Sequence, residues 1–266
     1  MMLIKAKRAI GLLTEKQRML PTFLIIGAGK NGTTSLYDYM VKHKKISSAI
    51  WKEVHYFDYN WLKGLGWYRS HFPMKSGDKI TGEASPAYFS HPLAPERAAK
   101  TLPDAKLIVI LSNPIDRSYS GYQHEVRNGI EKLSWEEAIE KEPALLKSEL
   151  KKVIENPSYN DIKFMAFPHL YKSYYFQHIS NWMKFFRRDQ FKIILQEDLT
   201  NRPEETLNEL FEFVGIVPQS VNTNYKLNTG KYPPMKQETR EKLVEHFRPH
   251  NEKLYKLLGK NYDWDH

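Results

Sequence analysis

A chain of 266 residues, 41% hydrophobic and 27% charged, is long enough for one large core and has the make-up of an ordinary globular protein. Its 40 Lys and Arg against 31 Asp and Glu give a formal charge of +9, which favours anionic ligands without choosing among nucleotides, acidic glycans and nucleic acid. The lack of cysteine excludes disulfides, thiolate metal sites and a cysteine nucleophile, and fits a cytoplasmic location.

Residues 1–20 mix Lys5, Lys7, Arg8, Lys16 and Arg18 with Ile4, Ile10, Leu12 and Leu13. The apolar run from Ala9 to Leu13 is too short to span a membrane. We expect a basic amphipathic lead-in helix, no transmembrane segment and at most weak contact with an anionic membrane surface. Residues 22–26 are a short apolar run ending in a glycine-rich turn; Leu36, Tyr39 and Met40 then fall on one helix face. Residues 107–111 repeat the pattern: an apolar run, the turn signal Asn113-Pro114, and a helix whose Ile115, Tyr119, Tyr122 and Val126 form a stripe expected to face a sheet.

Residues 133–175 are charged and helical, with breaks at Pro157 and Pro168, and read as an insertion over the sheet edge, an acceptor lid. Trp182, Phe185 and Phe186 close the next helix and read as core. A third strand over residues 191–195 leads to Pro203 and a helix with Leu207, Leu210, Phe211 and Val214, stopped by Gly215. No repeat, low-complexity tract or Gly/Ser linker divides the chain, so one domain over 1–266 is expected. The fold class is α/β, in three layers: a mainly parallel central sheet with helices on both faces and a P-loop-like phosphate-binding loop. Ligands in such folds sit at the carboxyl ends of the strands, here just after Ile26 and Leu111.

The most informative segment is Gly27-Ala28-Gly29-Lys30-Asn31-Gly32-Thr33-Thr34-Ser35. Glycines after a strand let the backbone turn tightly, and the following helix aims its free N–H groups at an anion. Gly27 and Gly32 keep the spacing of a nucleoside-triphosphatase loop, yet Thr33 stands where its lysine belongs and the cation has moved back to Lys30. That arrangement suits a donor with one phosphate before the transferred group. In Lys52-Glu53-Val54-His55-Tyr56-Phe57-Asp58, an extended backbone would turn Glu53, His55 and Phe57 to one side. A carboxylate beside an imidazole is a credible pair for removing a proton from a hydroxyl. Farther on, Arg117, Ser120 and His124 share a face near a helix start, a setting for a second phosphate.

Together these segments resemble the PAPS-dependent sulfotransferases (donor 3′-phosphoadenosine 5′-phosphosulfate), particularly bacterial members and the branch that modifies heparan sulfate. Gly27 to Leu36 is similar to the family's 5′-phosphosulfate loop, Lys52 to Asp58 to its catalytic segment, and Ser112 to Tyr122 to its 3′-phosphate motif. Gly82-Glu83-Ala84-Ser85-Pro86-Ala87-Tyr88, Lys231-Tyr232-Pro233-Pro234-Met235 and Phe247 to Tyr255 also match, so the likeness runs from about Phe23 to Trp264. One departure stands out: the family motif begins with an arginine where this chain has Ser112. Its loss would weaken donor binding by about 1.5–3 kcal/mol unless Arg117 or a lysine from elsewhere takes over.

The resemblance implies in-line displacement at sulfur. Glu53 would be the base, His55 would orient or assist it, and Lys30 would stabilise charge on the leaving oxygens. Gly29, Asn31, Gly32, Thr33, Thr34 and Ser35 would hold the 5′-phosphate and Ser112, Arg117 and Ser120 the 3′-phosphate, with Lys231 closing over the donor. No metal is required. The acceptor would carry a hydroxyl and be a glycan, a lipid or a small molecule. Two other readings stay open: a magnesium-dependent kinase, with Asp198 as its metal carboxylate, and a non-catalytic binder of acidic polymers. Basic residues are spread along the chain and no nucleic-acid motif occurs, so no nucleic-acid partner is expected.

Overall fold

The computed structural model describes residues 12–160, 162–223 and 231–264. Residues 1–11 of the expected lead-in helix lie outside these. Five strands form one sheet in the order β2-β3-β1-β4-β5, every pairing parallel. They are β1 (Phe23–Gly27), β2 (Ile46–Ser47), β3 (Ile80–Ala84), β4 (Lys106–Leu111) and β5 (Phe191–Leu195). The helices are α1 (Thr33–Met40), α2 (Gly64–Arg69), α3 (Ala94–Thr101), α4 (Pro114–Arg127), α5 (Trp135–Glu155), α6 (Ile162–Ala166), α7 (Tyr175–Trp182), α8 (Gln196–Asn201), α9 (Pro203–Phe213) and α10 (Gln237–Leu258).

Alternation along the two central strands builds the layers. Leu24, Ile26, Leu107, Val109 and Leu111 enter one core with α2, α3, α7 and α10. Their neighbours Phe23, Ile25, Ile108 and Ile110 enter the other, with α1 and α9. Strands buried on both faces read as unbroken apolar runs, which is why β1 and β4 are legible in the sequence; β5, at the sheet edge, keeps an apolar run broken only by Lys192. Gly82 is required where β3 meets β1, because a Cβ there would stand 2.3 Å from the Phe23 ring. No helix among the described residues is long and apolar enough to cross a membrane.

Two expectations change. The α4 stripe does not face the sheet: Ile115 and Tyr122 join Trp135, Leu170, Leu243 and Phe247, while Val126 at its end is exposed. The buried side chains of residues 133–175 likewise fall largely in clusters without a strand residue, so this region docks on α4 and α10 rather than over the sheet edge. A capping box between Ser134 and Glu137 starts its long helix. At the end of α7, Trp182 and Phe186 are core as expected, but Phe185 is exposed.

Candidate active site

All five strands deliver residues at their carboxyl ends to one cavity of about 650 Å³. Gly29 to Ser35 follow β1, Glu53, His55 and Tyr59 follow β2, and Pro86 to Ser90 follow β3. The α4 face of Arg117, Ser120, Gly121, His124, Glu125 and Arg127 follows β4, and Gln196, Leu199 and Thr200 follow β5. Met165, Ala166, His169 and Lys172 close one side.

At the head of α1, Gly32 occupies the N-cap with φ 85° and offers no side-chain cap. A left-handed backbone there favours glycine, and the uncapped first turn presents N–H groups to an anion. Lys30 lies in the loop before it, also left-handed, with φ 77°. Burial lowers the Lys30 pKa, and the nearby Arg127 and Arg117 lower it further. Cations thus crowd this end of the cavity, a field that an anionic ligand relieves.

Two pegs fasten the loop to β4 and α4. Asn31 donates through Nδ2 to Ile110 O at 2.9 Å and accepts from Ser112 Oγ at 2.8 Å. The Arg117 guanidinium donates to Gly29 O at 3.1 Å, His169 O at 3.0 Å and Ser173 Oγ at 3.1 Å. Asn31 and Ser112 are buried and neither lines the cavity, which corrects their placement among donor-contacting side chains. Arg117 does reach the cavity wall, but its bonds to carbonyls make it a support of the loop. Asn113 caps α4 by accepting from Ile115 N at 2.9 Å, with Pro114 in the first turn, and this sets Ser120 and His124 toward the cavity. Lys231 is exposed and lies off the cavity, whereas its neighbour Tyr232 lines it.

The segment after β2 is not extended. Glu53 and His55 have φ of 66° and 53°, so both reach the cavity while Val54, Tyr56 and Phe57 are buried in the core. Phe57 therefore does not share their side, as simple alternation had implied. His55 Nε2 lies 3.4 Å from Glu53 Oε2, and His55 Nδ1 lies 2.7 Å from Asp58 Oδ2. Lys52 adds an ion pair to Glu53. Burial works against both charges, but Asp58 and Glu53 outweigh it at His55 and hold the imidazolium up to about 10. At Glu53, His55 and Lys52 prevail in the same way and bring the carboxyl down to about 2. Asp58 is the partner that the sequence reading left unassigned, although its i+3 spacing from His55 was there to be used. Lys172 was also left out of the expected site, whereas His124, half-buried beside Arg127 with Nδ1 3.1 Å from Nη2, lines the cavity on the face it was expected to share with Arg117 and Ser120.

Asp198 pairs with Arg202 at 2.9 Å and does not line this cavity, so it is not placed to serve as a metal carboxylate here. Among the described residues no three His, Cys, Asp or Glu side chains are grouped to hold a metal.

A family model described as "Sulfotransferase domain" matches residues 20–265. The chain belongs to the sulfotransferase family. This sulfotransferase is 30% identical, over 92% of its length, to "Membrane-associated sulfotransferase kil1" of Dictyostelium discoideum. It is 32% identical, over 90% of its length, to "Bifunctional heparan sulfate N-deacetylase/N-sulfotransferase 4" of Mus musculus. It spans 66% of the first relative and 30% of the second. A solved sulfotransferase from Alicyclobacillus acidocaldarius matches its fold with a TM-score of 0.78 at 26% identity, covering 93% of this chain and 100% of that one.

Proposed function

We propose that this sulfotransferase moves a sulfuryl group from 3′-phosphoadenosine 5′-phosphosulfate to a hydroxyl or amine of an acceptor. One observation carries the proposal: Lys30, the uncapped start of α1 and the Glu53–His55 pair open into a single cavity. The residues fit the donor. Gly32 with Thr33, Thr34 and Ser35 would hold its 5′-phosphosulfate, and Ser120 on α4 its 3′-phosphate, with Arg117 fixing the loop between them. A cavity of about 650 Å³ lies within the range that encloses such ligands.

The donor, when bound, supplies an activated sulfuryl group. Glu53 accepts the proton of the acceptor nucleophile at a carboxylate oxygen, and His55 holds that carboxylate in place from its other side. Asp58 fixes the imidazole through Nδ1. Lys30 meets the charge that grows on the leaving oxygens, an interaction stronger in the transition state than in the ground state. No metal takes part in this reading.

The acceptor is widened from the hydroxyl first expected, since a relative is named as an N-sulfotransferase. An anionic glycan is the class we favour: Arg127, Lys172 and His124 add positive or ionisable groups to the cavity wall. Contact with an anionic membrane surface fits Leu13, which is 88% exposed and lies near Lys16 and Arg18. The decisive experiment is a calorimetric titration with 3′-phosphoadenosine 5′-phosphate, with magnesium ATP in parallel. Micromolar binding of the bisphosphate alone supports the proposal, and acceptors are then screened with radiolabelled donor. Binding of magnesium ATP alone would sink it.

A further inference from the structure

We propose that Glu83 is a positioning residue, whose buried carboxylate fixes two hydroxyls that hold the backbone of the Glu53–Asp58 segment and so set the Glu53–His55 pair. What that pair is used for rests on the function proposed above; the positioning itself does not.

Glu83 lies on β3, fully buried, and does not line the cavity. Three hydroxyls from different places donate to it. Tyr68 of α2 and Tyr88 give their protons to Oε1 at 2.7 and 3.0 Å, and Ser85 gives its proton to Oε2 at 3.1 Å. Two of these hydroxyls also accept. Ser85 Oγ receives the His55 N–H at 3.2 Å, and Tyr88 Oη receives the Tyr56 N–H at 2.7 Å. A hydroxyl has one proton to give. To accept from a backbone amide it must point that proton elsewhere, and the carboxylate is where both point. The strand itself adds a third tie, with Glu53 N–H donating to Ala84 O at 3.1 Å.

Residues 53, 55 and 56 thus hang from residues 84, 85 and 88, and two of the three ties depend on Glu83. The segment needs such ties, because Glu53 and His55 are both left-handed, a conformation that residues with a Cβ leave unless neighbours hold them. Burial pushes the Glu83 carboxyl up to about 7, with Tyr68, Tyr88 and Ser85 opposing that rise and Asp58 adding to it. In its ionised form the carboxylate is acceptor-only and matches the three donors.

Glu83→Gln keeps the size and replaces one acceptor oxygen with a donor. Either the two tyrosines lose their acceptor, or Ser85 must receive the amide and compete with the His55 N–H. The readout is titration of the His55 imidazole by nuclear magnetic resonance, assigned by comparison with His55→Asn. Around that ring stand Asp58 at Nδ1, Glu53 at Nε2 and the Tyr59 ring, so its midpoint reports whether the pair is in place. We expect Glu83→Gln to bind 3′-phosphoadenosine 5′-phosphate as the wild type does while the His55 midpoint falls by about one unit or more. Simple loss of stability would not move that midpoint in the folded fraction. Ser85→Ala and Tyr88→Phe each remove one tie and are expected to act in the same direction, which keeps the test open if Glu83→Gln does not fold. Wild-type titration of His55 in Glu83→Gln, or in both of the other variants, overturns the proposal. Failure of the wild type to bind the bisphosphate would instead strike at the sulfotransferase reading and leave the His55 result interpretable.

Discussion

Ser112 Oγ donates to Asn31 Oδ1 at 2.8 Å beneath the loop that follows β1. Where the family pattern has an arginine, this chain has a short peg joining the end of β4 to the loop after β1. Ser112→Ala would leave the buried Asn31 oxygen short of a donor, a loss of about 1–3 kcal/mol. We expect a lower melting temperature and weaker binding of 3′-phosphoadenosine 5′-phosphate. Ser112→Arg is expected to weaken binding as well, because a guanidinium would enter a buried site near Arg117. Calorimetry of both variants checks this; tighter binding by Ser112→Arg would mean that its side chain reaches the donor.

Glu53→Gln should bind the bisphosphate normally and lose turnover by about 10²–10⁴-fold, the range for removal of a general base. Single-turnover assays with radiolabelled donor separate the two quantities. Appreciable turnover would take Glu53 out of that role.

Lys30→Met should lower the maximal rate more than it weakens donor binding, with a rate loss of about 10²–10³-fold. Equal losses in both would make Lys30 a binding group with no separate effect on the transition state.

The titration of the Glu53–His55 pair gives a pH prediction in two parts. Glu53 is depressed to about 2 from an ordinary value of 4.5, so its stabilising contribution is present above 4.5 and is lost as pH falls through about 2. His55 is raised to about 10 from 6.5, so its contribution is complete below 6.5 and fades as pH rises through about 10. In His55→Asn the carboxylate loses its leading support. The acid limb of kcat/KM should then move up toward 4.5, and the decline in melting temperature between 6.5 and about 10 should shrink. An acid limb that stays put would show that His55 does not hold the Glu53 charge.

The contrast between legible and hidden parts is physical. Residues 107–111 announced themselves because interior parallel strands are apolar on both faces, and residues 191–195, at the sheet edge, because only Lys192 interrupts their apolar run. β3 did not, since Ile80-Thr81-Gly82-Glu83-Ala84 places a glycine under Phe23 and an acid inside a hydroxyl network, neither of which resembles a buried strand. β2 has two residues, too few for any periodicity. The loop glycines and the Glu53–His55 pair were readable as chemistry, but their geometry was not. Lys30, Glu53 and His55 are all left-handed, and residue type gives no sign of that outside glycine and asparagine. Whether Asn31 points into the cavity or beneath it depends on Ile110 and Tyr175, which lie far from it along the chain.

Residues 165–172 form one wall of the cavity while their buried neighbours pack mainly among themselves and against α4, α5 and α10. The loop after β1, by contrast, is fastened to β4 by the Asn31 peg, while Arg117 ties that loop to the wall through His169 O and Ser173 Oγ. Side chains of that wall can therefore change without disturbing the loop as long as the His169 carbonyl and Ser173 keep their hold on Arg117. Under the proposed function, a lineage descending from this chain would have a route to new sulfated products in which the nucleotide chemistry is inherited and the recipient is exchanged.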